Sequence, residues 1–133
     1  MAGHRTLHLD ALEPRLDPDT GAEWLTLRHA LGVGAFGINA WRAKSAGIEV
    51  IERHTEEDSA HQEVYVVLTG SATFTVGGER IDAPAGTVVF VEDPALERVA
   101  VADAPGTQVL AIGAERGRIF TPSPWETDLL TAG

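Results

Sequence analysis

Cysteine is absent from the 133-residue chain. That excludes disulfide staples and thiolate metal sites, and it points to a reducing cytoplasm as the expected location. Basic residues are scarce, with ten Lys and Arg against twenty Asp and Glu and a formal charge of −10. This balance argues against nucleic acid and anionic membrane surfaces as partners, because both need a positive footprint. The acidic residues are scattered, which reads as a soluble, self-repelling surface. No stretch approaches the roughly 20 apolar residues of a membrane span. The segment from Met1 to Asp10 lacks a continuous apolar run, so no signal peptide is expected. Also missing are a phosphate-cradling glycine loop ahead of a helix and a G-x-S-x-G elbow. Ser45 and Ser59 are therefore not read as acyl-transfer nucleophiles. Solenoid repeats, low-complexity tracts and helical periodicity before residue 120 are lacking too.

What remains is a chain of short β-strands, of a length that fits one domain. Candidates cover 24–30, 35–43, 47–53, 62–69, 71–76, 79–82, 87–91, 97–102 and 107–112. They are rich in Val, Ile, Thr and aromatics, and Gly, Pro or Asp bounds them. Ser71 to Val76 alternates small polar with apolar residues, and Gly77-Gly78 supplies a two-residue hairpin turn. Val64 to Leu68 is apolar at both parities, which predicts a strand covered on both faces. Residues 1–22, punctuated by Pro14, Pro18 and Gly21, read as an arm with turns and room for one short strand. Thr20 to Glu23 has capping-box spacing, but Trp24 to His29 alternates like a strand, so a helix is discounted there. Many short strands with tight turns suggest a sandwich or barrel over 23–115, with a tail packing on it over 116–133. In that tail Ser123, Pro124 and Glu126 fit the N-cap, N1 and N3 positions of a short helix, with Glu126 reaching back to cap it.

Two glycine-framed segments carry the strongest signal. In the first, Gly47 opens a stretch holding His54, His61 and Glu63, and six residues separate Glu63 from Gly70. In the second, Gly78, Pro84 and Gly86 keep the spacing G-x5-P-x-G. Over roughly residues 40–113 these segments resemble the two motifs of the cupin family. The resemblance implies an all-β, cupin-type antiparallel β-barrel (a double-stranded β-helix or jelly roll) with a short C-terminal helical turn, and a homodimer. In metal-bearing cupins two histidines and a glutamate of the first motif meet a histidine of the second inside the barrel. Here Glu63 is kept, Val89 stands at the second-motif histidine position and Asp93 at the usual asparagine position. The first-motif histidine positions fall on Glu57 and Ser59, or on Glu56 and Asp58.

Two readings of the interior follow. In one, His54, His61 and Glu63 form a two-histidine, one-carboxylate set for a divalent transition metal (Fe, Mn, Zn or Ni) that supports an oxidation or an isomerisation. Glu56, Glu57 and Asp58 are at hand to replace a missing ligand. In the other, metal binding is weak or lost, and a small molecule occupies a pocket lined by Glu63, Tyr65 and Val67 on one strand and Val89 and Val91 on the next. A third possibility is a fully packed barrel with a role in assembly. Trp24, Trp41 and Trp125 read as core or interface packing, and Arg42, Arg53 and Arg98 as surface ion-pair partners. No catalytic residue is assigned, and enzymatic activity is left open.

Overall fold

The computed structural model describes residues 3–131. After a single 3-10 turn at Leu9–Ala11 come β1 (Arg15–Leu16), β2 (Glu23–Leu25), α1 (Leu27–Leu31), β3 (Gly37–Ala43), β4 (Glu49–His54) and β5 (His61–Thr69). The chain continues through β6 (Ser71–Val76), β7 (Glu79–Pro84), β8 (Val88–Val91), β9 (Arg98–Ala102), β10 (Thr107–Glu115) and α2 (Pro124–Thr131). The strands form two antiparallel sheets, ordered β1-β2-β3-β10-β5-β8 and β4-β9-β6-β7. This is the jelly-roll architecture that the sequence resemblance implies.

Alternation along the strands decides which side chains meet between the sheets. On β5, Tyr65 and Val67 point inward and are fully buried, joined by Val89 and Val91 of β8 and Val109 of β10. The opposite sheet supplies Val50, Phe74, Ala100 and Ala102 to the same core. Each large apolar side chain so buried contributes about 1.5–3 kcal/mol. The predicted hairpin forms at Gly77-Gly78, both at positive φ, between Val76 and its partner Glu79.

Three expectations are corrected. The strand predicted over 24–30 stops at Leu25, and Leu27–Leu31 turns into a helix ended by Gly32 at φ +72°. The apolar i, i+4 pair Leu27 and Leu31 and the glycine behind it are the local reason. The outer face of β5 is only part covered: Leu68 is 37% exposed, beside a groove formed by the N-terminal arm and α1. Helix α2 starts where the sequence predicts, but Glu126 does not cap it. Its carboxylate accepts from Arg28 Nε at 2.9 Å, a buried ion pair that ties α2 to α1.

Candidate functional site

A cavity of about 590 Å3 lies over the inner faces of β3, β4, β5 and β10, with α2 and the 17–20 turn along its side. Glu63 sits in its wall. The residues paired across the sheet from Glu63 are Gly113 of β10 and Val91 of β8. A Cβ at 113 would come within 3.0 Å of Glu63 Cγ, so glycine there leaves the carboxylate its space.

One oxygen of Glu63, Oε1, gathers three donors. The Tyr65 hydroxyl donates to it. Arg98 Nη1 donates at 2.8 Å, and His54 Nε2 lies 3.4 Å away. The two cationic groups come from the opposite sheet, where His54 of β4 and Arg98 of β9 are register partners. Arg98 is 0% exposed. Its Nε and Nη2 donate to the Leu96 carbonyl at 3.0 and 2.9 Å, so the loop before β9 locks the guanidinium in place. His54 Nδ1 donates to the Glu52 carbonyl at 2.6 Å, which turns Nε2 toward Glu63 and toward Glu56 Oε2 at 3.6 Å.

These contacts set the protonation states. Burial pushes the Glu63 carboxyl up, but hydrogen bonds from His54 and Tyr65 and the His54 and Arg98 charges outweigh it, and its pKa falls below the ordinary value. Burial pushes His54 down, yet its bonds to Glu63 and the Glu52 carbonyl raise it overall, favouring imidazolium. Burial, with the Glu63 charge beside it, pushes Glu56 up to about 7. Tyr65 is raised well above its ordinary value by burial and the Glu63 charge, so it remains a donor.

The sequence-selected residues separate into two groups. Glu63, Tyr65, His54 and His61 all line the cavity. Val67, Val89 and Val91 are buried in the packed core instead and do not line it. The side chains whose ligand atoms lie within 4.8 Å of one another are His54, Glu56 and Glu63. His61 stands beside that set, its ring 5.7 Å from Phe120 and its Nδ1 3.8 Å from Glu56 Oε1. Glu56, one of the acidic residues the sequence offered beside His54, belongs to that set, and His61 does not. A second set, Asp17, Asp19 and Glu52, lies at the cavity's edge.

Arg98 was misassigned to the surface. The signal for its burial was available: it shares strand parity with Ala100 and Ala102, small residues in an apolar stretch. Asn39 was also missed. It lines the cavity, is 7% exposed, and its Oδ1 has no hydrogen-bond partner. The three tryptophans pack together, with Trp24 5.3 Å from Trp125 and 6.1 Å from Trp41 between ring centroids, and Trp41 and Trp125 also form cavity wall.

No protein-family model matches the chain, and no curated protein matches it by sequence. Solved structures do. A cupin protein from Bacteroides fragilis superposes with a TM-score of 0.67 at 18% identity, covering 92% of this chain and 93% of that one. A sugar phosphate isomerase of the cupin superfamily from Silicibacter pomeroyi gives 0.69 at 24% identity over 84% of this chain and 76% of that one. A predicted oxalate decarboxylase from Thermotoga maritima gives 0.66 at 18% identity over 84% and 99% of the two chains. At these identities the likeness shows that the fold is that of the cupins.

Proposed function

We propose that the protein binds a small organic molecule in the cavity between its sheets and does so without a resident metal. The observation that carries this reading is the Arg98–Glu63 ion pair, 2.8 Å long with the guanidinium wholly buried. Glu63 is the one metal-ligand position of the cupin motifs that the sequence retains, and a fixed cation already serves it. A divalent ion about 5 Å from a guanidinium meets a repulsion on the order of 6 kcal/mol at an effective dielectric of about 20. A charged His54 would have to lose a proton as well before it could ligate. The donor set does not fit a metal in this state.

The ligand class suggested by the structural neighbours' names does not fit this cavity. Sugar phosphate and oxalate are anions, and neither lysine nor arginine is among the residues that line this cavity. Elemental analysis of protein purified without a histidine tag tests the metal-free reading, together with thermal unfolding with and without chelator. Substoichiometric metal and an unchanged Tm are expected.

One observation favours a metal-dependent enzyme as the second reading. His54, Glu56 and Glu63 converge, and the Nδ1 bond of His54 aims Nε2 at both carboxylates, an orientation that also suits a metal-binding imidazole. A stoichiometric transition metal that is lost in His54→Ala would put this reading in place of the first. For assembly, the proposed homodimer has a suitable face. Strand β8 ends the six-stranded sheet with Val88 60% and Phe90 53% exposed. Light scattering of the wild type against Phe90→Lys tests it.

A further inference from the structure

We propose that the cavity selects an organic cation, an ammonium group carried on an apolar or aromatic body. This rests on the small-molecule reading above and names its ligand class. The sign of the lining is the first support. Eight acidic residues line the cavity, against two histidines and no lysine or arginine. Part of that charge is already balanced. Glu126 pairs with Arg28, Glu63 with Arg98, and Glu56 lies within 4 Å of both His54 and His61. The other five, Asp17, Asp19, Glu49, Glu52 and Asp128, have no ion pair among the described residues. Their crowding is felt at Glu52, whose carboxyl is pushed up by burial and then by Asp17, Asp19 and Glu49. A positive ligand relieves this field, and a negative one adds to it.

Asn39 is the second and independent support. It stands on β3 in register, across Ala111 of β10, with Tyr65 of β5, so its side chain projects from the inner face. It is 7% exposed, and its Oδ1 is one of two buried side-chain polar atoms without a partner among the described residues. A buried acceptor left unmade costs about 1–3 kcal/mol. An ammonium donates hydrogen bonds and accepts none, so it answers this atom where a carboxylate cannot. Third, Trp41 and Trp125 both line the cavity, their ring centroids 6.0 Å apart and their planes tilted by 39°. They suit an aromatic or aliphatic body and attract a cation through their π-faces.

The test titrates the intact chain near pH 8 with three probes of one size and shape: 3-phenylpropylamine, 3-phenylpropanol and 3-phenylpropanoate. Calorimetry gives affinity and stoichiometry, and tryptophan emission reports entry into the cavity. The amine is expected to bind one to one, about tenfold or more tighter than the carboxylate, with the alcohol between and the gap shrinking at high salt. Asn39→Leu should weaken the amine more than the alcohol. The triple variant Asp17→Asn, Glu52→Gln, Asp128→Asn changes side chains at the cavity edge and should abolish the amine's advantage, weakening the amine far more than the alcohol. Carboxylate binding as tight as the amine, or an amine advantage that survives the triple variant, overturns the cation assignment and leaves cavity binding standing. If none of the probes binds or moves the tryptophan emission, the cavity reading itself falls and this proposal with it.

Discussion

Arg98 and Glu63 join the two sheets through the interior, guanidinium to carboxylate at 2.8 Å. Arg98 belongs to the four-stranded sheet and Glu63 to the six-stranded one. In this pair the guanidinium donates to Glu63 through Nη1 and to the Leu96 carbonyl through Nε and Nη2. Its desolvation cost is therefore offset by hydrogen bonds as well as by charge.

Breaking the pair from one side should hurt more than replacing both partners. Arg98→Met leaves Glu63 buried without its main cation, and a loss of about 3–5 kcal/mol is expected in urea unfolding. The double variant Arg98→Met, Glu63→Gln should recover a substantial part of that loss, because no bare charge remains. Equal losses in the single and double variants would mean the pair is not coupled.

The pH dependence follows from Glu63, Glu56 and His54, whose ligand atoms lie within 4.8 Å of one another. Glu63 has a depressed folded pKa, so its contribution is present above its unfolded value and is lost as pH falls through the folded one. Glu56, raised from 4.5 to about 7, acts oppositely. Between those values the native state keeps a proton that the unfolded state releases, and stability falls as pH rises. His54, raised above 6.5, contributes stability that is full below 6.5 and is lost as pH climbs through its folded pKa. Glu56→Gln should therefore flatten the decline between pH 4.5 and 7 and stabilise the protein at pH 8. After discounting for partial exposure the gain is on the order of 1–2 kcal/mol. Chemical denaturation across pH 4–9 measures it.

Glycine positions in the motifs should differ sharply in tolerance. At Gly70, with φ +73°, an added Cβ would stand 2.8 Å from Thr107 Cα, which is backbone and cannot yield. Gly70→Ala should cost more than about 3 kcal/mol through strain and overpacking together. Gly86, at φ +93°, has nothing within 4 Å of an added Cβ. Gly86→Ala should cost about 1 kcal/mol, from the backbone alone. Thermal unfolding ranks the two.

The Arg28–Glu126 pair holds α2 over the side of the cavity, at 2.9 Å and largely buried. Glu126→Ala leaves Arg28 without its carboxylate, and a loss of about 2–4 kcal/mol is expected in the docking of the helix. Trp125 should become more exposed, seen as a red shift in emission, and proteolysis between residues 116 and 124 should speed up while the strands stay protected. Unchanged emission and cleavage would show that the tryptophan cluster alone anchors the helix.

Most of the strand framework could be read from local pattern, because alternation and glycine-bounded runs are properties of neighbouring residues. The hairpin at Gly77-Gly78, the start of α2 at Pro124 and the inward parity of Glu63 and Tyr65 all belong to that kind of information. The turn from β2 into α1 was obscured because five residues are too few to show a helical period, so the Leu27–Leu31 pair and the Gly32 stop were outweighed by the alternation ahead of them. Which residues surround Glu63 is a different matter. His54, Glu56 and Arg98 reach it from separate segments, as far as 35 positions away, and only the stacking of two sheets brings them together. The sequence by itself determined most of the strands, the inward parity of Glu63 and Tyr65, and the retained carboxylate. The tertiary structure alone decided that a buried guanidinium would answer that carboxylate and that the valines would pack, leaving the cavity to acidic and aromatic side chains, since contacts between distant strands exist only once the sheets close on each other.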